Sequence, residues 1–400
     1  MATSTTASVL KPAVLIVYAA GLLQGLTLVS FPALSSVFTQ SLGFSAAEYG
    51  AVFLPQVTLA VVGATAGGAL AGRLGLKQLL ICALLANALS QLFLATAAFA
   101  GDAAFLSVMV ATAALGFGFG LVGAPINSYP PTLFPAQPHA SVVAAHTLIG
   151  LGLATGPVVA GVFLAMGAWF AFPLVLAALA VGLAAATAAT ALPQPPASPG
   201  VAAAAHHCPI SAPAFWFSFA ITVLYAFAEG TFANWAVIYL AEARGLPEMT
   251  AGLALSTFWG TLVIGRLLIT VIVTRVSPKF VWASLPVLMI AAFLALPLAE
   301  GAVLGIGVFA LAGLSCSAFL PLTITLASQR FPDHVAWVSS MMIAALMVGV
   351  GVGSFAVGAL REMLSFEDLY RLSTAYPAAV LVLTIFVFRV RTPALAAEVR

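Results

Sequence analysis

The chain has 400 residues, of which 63% are hydrophobic and only 6% are charged. A soluble globular domain carries about 25% charged residues, so this composition excludes a water-soluble fold. The net charge of +2 comes from residues scattered along the chain and does not indicate a nucleic-acid partner. Because the apolar runs are continuous and rich in Ala, Leu, Val and Gly, they predict helices in a lipid bilayer rather than a β-barrel.

Twelve apolar runs are long enough to cross a bilayer. They cover residues 12–38, 49–70, 78–99, 103–128, 141–165, 169–191, 214–239, 250–273, 280–298, 302–326, 337–360 and 370–390. The run after Lys11 is too long for the core of a signal peptide, so we interpret it as the first span. Residues 192–213 carry six prolines and no Asp, Glu, Lys or Arg, which predicts a flexible cytoplasmic linker. We therefore expect an N-terminal six-helix bundle at 12–191 and a C-terminal one at 214–390.

The distribution of Lys and Arg predicts the orientation in the membrane. The side that holds both termini collects ten of the thirteen basic residues: Lys11, Arg73, Lys77, Arg266, Arg275, Lys279, Arg330, Arg389, Arg391 and Arg400. The other three are Arg244, Arg361 and Arg371. Because basic residues concentrate on the cytoplasmic side, both termini are predicted to be cytoplasmic. The excess of Arg over Lys and the abundance of Ala are typical of GC-rich bacteria, so we expect the bacterial inner membrane.

Small and polar residues recur between the two halves at nearly constant offsets. At an offset of 205, Gln24-Gly25 recurs as Glu229-Gly230. At an offset of 202, Gly63, Arg73 and Lys77 recur as Gly265, Arg275 and Lys279. At an offset of 197, Gly152, Gly156 and Gly161 recur as Gly349, Gly353 and Gly358. This order predicts a duplication, and two related six-helix halves are the plan of a rocking secondary transporter with its site between the halves.

The segment between the second and third spans, Gly68-Ala-Leu-Ala-Gly-Arg-Leu-Gly-Leu-Lys77, resembles the loop signature of the major facilitator superfamily. Gly72 replaces the Asp of that signature and Leu76 replaces a basic residue, whereas Arg73, Gly75 and Lys77 match. The resemblance extends over the whole chain. It implies an all-α membrane fold with twelve transmembrane helices in two pseudo-symmetric six-helix bundles. Residues at the helix ends and loops are then expected to act in gating: Gly68, Arg73, Gly75, Lys77, Arg266, Arg275 and Lys279.

Three segments resemble the fucose and glucose permease-like branch of that superfamily. They lie in the fourth, seventh and eighth spans at residues 118–127, 225–235 and 258–266. Proteins of that branch carry acidic residues in their first and fourth spans. This chain has Leu28 and Gly123 near the corresponding positions. The resemblance implies a sugar or sugar-like solute but not the proton pathway of the branch.

A competing resemblance lies in the fifth span. Gly152-Leu-Ala-Thr-Gly-Pro-Val-Val-Ala-Gly161 is similar to the Gly-Pro motif of drug/proton antiporters, although Val143 replaces the glycine expected upstream. This motif favours an exporter of amphiphilic drugs or metabolites. The alternative interpretation is that the small residues let neighbouring helices approach closely.

Glu229 is the only charged residue in the apolar stretch 215–240. A carboxylate inside a membrane is energetically unfavourable, so its presence indicates a function, here the carriage of a proton. Its position in the repeat pairs it with Gln24, and the resemblance to the superfamily implies that the first and seventh spans face each other across a central cavity. A Glu that only locks helices together is the alternative. His146 is a second proton-handling candidate, with a neutral, hydrogen-bonded His as its alternative.

Other polar and aromatic residues within the spans are candidates for substrate binding. They are Gln24, Gln56, Asn127, Asn234, Trp235, Trp259 and Thr323. Trp235 offers an aromatic face to a sugar ring or, alternatively, anchors the helix at the membrane interface. It shares a face with Glu229 only if the helix is broken, and Gly230 is the candidate for that break.

The sequence predicts no metal, cofactor or enzymatic activity. His206, His207 and Cys208 supply fewer ligands than zinc needs, and no Walker sequence is present. The leading hypothesis is a monomeric, proton-linked secondary transporter of a small polar organic solute. The alternatives are the drug exporter and a non-transporting membrane sensor or assembly factor that kept the fold. The expected partners are the solute, protons and the lipid bilayer.

Overall fold

A computed structural model describes residues 2–193 and 212–389. Its helices are α1 (Ala2–Ala33), α2 (Ala46–Ala51), α3 (Phe53–Leu74), α4 (Leu76–Thr96), α5 (Ala104–Leu133), α6 (Pro138–Ala165), α7 (Ala171–Ala189), α8 (Pro213–Ile238), α9 (Glu248–Ile272), α10 (Pro278–Ala295), α11 (Gly301–Cys316), α12 (Phe319–Arg330), α13 (Val335–Arg361), α14 (Phe366–Ser373) and α15 (Ala375–Arg389). Most of the predicted linker, including His206, His207 and Cys208, lies outside the described residues, as do Arg391 and Arg400.

Twelve helical stretches in the described part of the chain are long and apolar enough to cross a membrane. The second stretch joins α2 to α3, the tenth joins α11 to α12, and the twelfth joins α14 to α15. The predicted all-α membrane fold with twelve spans is therefore confirmed. The predicted bundle and linker boundaries at 191 and 214, and the cytoplasmic position of the termini, stay predictions.

The repeated glycines form the same helix contact in both halves. A Cβ atom at Gly152 of α6 would lie 2.2 Å from the carbonyl oxygen of Leu22 on α1. A Cβ atom at Gly349 of α13 would lie 2.6 Å from the carbonyl oxygen of Val223 on α8. Only glycine lets these backbones approach so closely, which is how helices associate tightly in lipid.

The tenth span is interrupted between Cys316, where α11 ends, and Phe319, where α12 begins. Pro321 has no N–H to donate to the carbonyl of Ser317, four residues earlier, and its ring crowds that carbonyl. The freed backbone needs other partners, because an unsatisfied polar group inside a membrane protein is unfavourable.

The two halves meet most closely at one end of the molecule. We call the end with Lys77 and Arg275 the terminal end, because the described residues begin and end there, and the opposite end the distal end. At the distal end a Cβ atom at Gly50 would lie 2.8 Å from the carbonyl oxygen of Ser354. At the terminal end, α5 and α12 touch at most marginally within the described residues. The cleft between the halves therefore opens toward the terminal end.

Candidate substrate and proton site

Glu229 lies half-buried in the middle of α8. Its carboxyl group is hydrogen-bonded to the hydroxyl of Tyr225, one turn earlier on the same face of the helix. The same hydroxyl lies 3.0 Å from the carbonyl oxygen of Cys316 at the interruption of the tenth span. Tyr225 is fully buried and its ring stacks on Phe319 at 4.9 Å between centroids, which fixes the position of the hydroxyl.

Arg266 binds the other carbonyl at the interruption. Its Nε donates to the carbonyl oxygen of Ser317 at 2.9 Å, and the side chain is half-buried. Its guanidinium forms no ion pair with Glu229 in the described structure. The sequence places Arg266 at the end of its span, but α9 continues to Ile272, so this placement is wrong. The cation is held inside the protein by a backbone acceptor.

The first half contributes His146 of α6 and Asn127 of α5. His146 Nε2 and Asn127 Oδ1 lie 3.0 Å apart, and Asn127 Nδ2 donates to the carbonyl of Gly123 at 2.8 Å. Both side chains are exposed although they lie within spans.

The packing of α6 against α9 explains how His146 and Arg266 come to the same level. The two helices run antiparallel, with Gly150 against Val263 and Gly252 against Pro157. Continuing this register by one turn toward the terminal end places residue 146 beside residue 266. We call Tyr225, Glu229, Arg266, His146 and Asn127 the central polar cluster.

Gln24 does not join this cluster. It is 1% exposed, and its Oε1 accepts a hydrogen bond of 2.9 Å from Nδ2 of Asn87 on α4. The predicted pairing of Gln24 with Glu229 is therefore corrected to a pairing with Asn87 inside the first half. The reason is that a buried amide bonds the nearest polar group.

Asn234 and Trp235 lie at the distal end, away from Glu229. Helix α8 runs unbroken through Gly230, so the predicted break at that glycine is wrong. Asn234 donates to Ser354 Oγ at 2.7 Å and accepts at its carbonyl from the hydroxyl of Tyr49, also at 2.7 Å. Trp235 is fully buried with its ring 5.0 Å from that of Tyr49. The structure therefore places both residues in the contact that closes the distal end.

The remaining substrate candidates are spread over three helices. Thr323 is buried inside the second half, where its hydroxyl accepts from Trp282 Nε1 at 2.7 Å, so the structure places it in a helix contact instead of the cleft. Gln56 is half-buried on α3, against the backbone of Gly116. Trp259 is half-buried two turns before Arg266 on the same face of α9, and its Nε1 has no partner in the described structure.

Apart from Arg266, the predicted gating residues lie around two turns at the terminal end. Gly75 has φ +81°, a conformation that favours glycine, and joins α3 to α4. Lys77 Nζ donates to the carbonyl of Ala188 at 2.8 Å, at the C-terminal end of α7 where the helix dipole favours a cation. A Cβ atom at Gly68 would have no neighbour within contact distance. Three basic residues at these turns are exposed to solvent: Arg73, Arg275 and Lys279.

Tyr225 and the interrupted tenth span are the site features that the sequence analysis missed. A signal exists for each. Tyr225 stands four residues before Glu229 and so shares its helix face. Pro321 stands four residues after Ser317 and marks a freed carbonyl.

The fold and the cluster define a polytopic helical membrane protein with a polar site between two halves. The sequence profile of the Major Facilitator Superfamily matches residues 14–309. The chain therefore belongs to the major facilitator superfamily, and it is a transporter rather than an enzyme. The profile does not distinguish branches, so the permease-like resemblance stays a prediction. No curated protein sequence matches the chain.

Several solved transporters have a similar fold. A mutant of the nucleoside transporter NupG superposes with a TM-score of 0.78 at 18% identity, over 94% of this chain and all 100% of that one. A D-xylose–proton symporter gives 0.75 at 15% identity, over 96% and 98% of the two chains. A bacterial homolog of the human lysosomal transporter Spinster, inward-facing and occupied, gives 0.73 at 13% identity, over 94% of each chain. At such low sequence identities, these comparisons show a shared fold only.

Proposed function

We propose that this protein is a secondary active transporter that moves a small polar organic solute by alternating access, coupled to protons through Glu229. The proposal depends chiefly on the hydroxyl of Tyr225, which lies within hydrogen-bonding distance of both Glu229 and the Cys316 carbonyl. A phenol has one hydrogen to donate. An ionised Glu229 and a carbonyl would compete for it.

A proton on Glu229 removes this competition. The protonated carboxyl group donates to the oxygen of Tyr225, and Tyr225 then donates to the carbonyl of Cys316. The geometry thus favours a proton-loaded Glu229 in the state with the cleft open at the terminal end. Loss of that proton breaks one of the two hydrogen bonds, which couples the protonation of Glu229 to the packing of α8 against the tenth span.

The central polar cluster draws on both halves. Glu229 and Arg266 belong to the second half, and His146 and Asn127 to the first. A solute bound among them would contact both halves, so a rocking motion that opens the distal end would change its surroundings. This is the requirement for alternating access around a fixed site.

The proposed partners are a polar solute, protons and the surrounding lipid, with the protein acting as a monomer. A nucleoside transporter and a D-xylose–proton symporter share the fold, which supports a polar organic solute, sugar-like in size and polarity. The concentration of Lys and Arg at the terminal end supports a cytoplasmic position for both termini in a bacterial inner membrane.

The antiporter-like segment in the fifth span has a packing explanation. A Cβ atom at Gly156 would lie 2.2 Å from a side-chain carbon of Val29, and Gly152 faces the backbone of α1. The carbonyl of Pro157 faces Gly252 of α9. The small residues thus serve two helix contacts, which favours a transporter of a small polar solute over a drug exporter.

The test uses purified protein in liposomes. A thermal-shift screen of sugars, nucleosides, organic acids and drugs first identifies a ligand, because binding raises the melting temperature by mass action. Uptake of that ligand is then measured with an inward proton gradient and, separately, as exchange without a gradient. Glu229→Gln is expected to abolish gradient-driven accumulation and retain exchange.

The matched control is Glu300→Gln, which removes an acid that is exposed between two spans at the distal end. The control variant should accumulate solute like the wild type. Undiminished accumulation by Glu229→Gln would contradict proton coupling through this residue. Absence of flux for every ligand that binds would instead favour the non-transporting alternative.

A further inference from the structure

The charges of the central polar cluster are unbalanced when Glu229 is protonated. Arg266 is then a cation inside the protein, and its Nε is bound to a neutral carbonyl. In the described structure its two Nη atoms make no hydrogen bond and no salt bridge. This half-buried guanidinium therefore has no anionic partner within the described protein.

The other titratable groups near Arg266 do not supply that anion. They are Glu229 and Tyr225 of α8, Cys316 of α11 and His146 of α6. Tyrosine and cysteine are ordinarily neutral at physiological pH, and histidine is neutral or cationic. With Glu229 protonated, the net charge of this group is therefore positive.

Two side chains on this face of α9 carry hydrogen-bond donors that have no protein partner. They are the Nη atoms of Arg266 and, two turns earlier, Nε1 of Trp259, which is buried without an acceptor. Across the cleft, His146 Nε2 donates to Asn127 Oδ1, so Nδ1 becomes a further donor only when the imidazole is protonated. A set of donors with a positive charge is complementary to an acceptor-rich anion.

We propose that the transported solute carries an anionic group, in the first place a carboxylate, that binds Arg266 when Glu229 is protonated. This inference rests on the proposed function and names the substrate class of the same site. The guanidinium binds a carboxylate through its two Nη atoms, and His146 faces the same position from the first half. Ionised Glu229 and the anion then compete for one cation, so each bound anion is accompanied by one proton on Glu229.

The pH dependence follows from this competition. Protonation of Glu229 removes a negative charge beside Arg266, so binding of the anion strengthens as the pH falls. Protonation of His146 acts in the same direction, because it adds a positive charge. The two contributions are separated by Glu229→Gln and His146→Gln, made singly and together.

The experiment measures ligand binding by thermal shift and by titration calorimetry with the full chain in detergent. The probes are pairs that differ mainly in charge: D-glucose with D-glucuronate, and nicotinamide with nicotinate, within a wider library of neutral and anionic solutes. D-glucose 6-phosphate tests whether a phosphate serves as well as a carboxylate. We expect anionic members to bind and neutral members not to bind.

Three variants make the result specific. Arg266→Gln should weaken anion binding at least about 10-fold, since it removes hydrogen bonds to a charged group. Arg266→Lys keeps a cation and a donor for Ser317, so it should fold like the wild type and bind the anion at an intermediate affinity. Glu229→Gln should bind the anion at pH 7.5 more tightly than the wild type does at the same pH.

The outcomes separate this inference from the proposed function. Binding of neutral solutes alone, unaffected by Arg266→Lys, overturns the inference and leaves proton-coupled transport in place. A library in which no anion stabilises the folded wild type also overturns it. Anion binding without any flux supports the inference about the site and overturns the transport function.

Discussion

Arg266 donates a hydrogen bond of 2.9 Å from Nε to the main-chain carbonyl of Ser317, where the tenth span is interrupted. The carbonyl is free because Pro321, four residues later, lacks the N–H that a continuous helix would supply. The bond therefore has two consequences. It satisfies backbone that would otherwise be orphaned within the membrane, and it holds a cation beside Glu229.

Removal of the Arg266 side chain should destabilise the protein independently of any ligand. Arg266→Gln leaves the Ser317 carbonyl with a poorer donor or none, and an unsatisfied buried acceptor costs about 1–3 kcal/mol. Arg275→Gln is the control, because Arg275 is exposed at the terminal end. Thermal unfolding in detergent should show a lower melting temperature for the first variant only. Equal melting temperatures would mean that the bond to Ser317 contributes nothing.

The hydroxyl of Tyr225 should be required for the coupling of transport to protons. Tyr225→Phe keeps the ring that stacks on Phe319 but leaves both Glu229 and the Cys316 carbonyl without their shared partner. We expect gradient-driven uptake to fall while solute exchange continues. Tyr18→Phe is the matched control, since that hydroxyl donates to the Ser141 carbonyl within the first half. A coupling defect as large in Tyr18→Phe would show that the effect is general.

The spans were predictable because lipid imposes one requirement on every segment that crosses it. Each backbone polar group must be bonded within the helix, so long apolar runs leave few alternatives. The interruption at Ser317 was not predictable in this way. Pro125, Pro130 and Pro131 lie inside α5, which continues through all three, whereas Pro321 coincides with a break. Which proline interrupts a helix depends on the side chains that neighbouring helices offer to the freed carbonyls.

The candidate site was predictable where a single residue was informative by itself. Glu229 is informative because a single acidic residue in an apolar span is energetically unfavourable and therefore indicates a function. The partner of Glu229 was assigned incorrectly, because repeat position fixes the level of Gln24 on its helix but not the direction of its side chain. Asn87, which binds Gln24, is separated from it by 63 positions and carries no sequence signal of the pairing.

The distal contact should control the conformation of the cleft. A Cβ atom at Gly50 would lie 2.8 Å from the Ser354 carbonyl, so Gly50→Leu should prevent the two halves from closing at that end. The measurement is the distance between spin labels at the exposed positions Glu48 and Glu362, after replacement of the native cysteines. The label distance should increase in Gly50→Leu. In the control Gly182→Leu, where a Cβ atom meets open space, it should not change. An unchanged distance in Gly50→Leu would assign the closure to other contacts.

The amide pair of Gln24 and Asn87 should contribute to stability and not to solute binding. Gln24→Leu leaves Nδ2 of the fully buried Asn87 without its acceptor, which should cost about 1–3 kcal/mol. The double variant Gln24→Leu with Asn87→Leu removes donor and acceptor together, and such a replacement is often nearly neutral. We therefore expect the double variant to be more stable than the single one, a coupling that a double-mutant cycle measures. Ligand affinity should stay within about 2-fold of the wild type in both variants, since neither amide belongs to the central polar cluster. A selective loss of ligand affinity in Gln24→Leu, with no loss of stability, would instead indicate that Gln24 takes part in substrate binding.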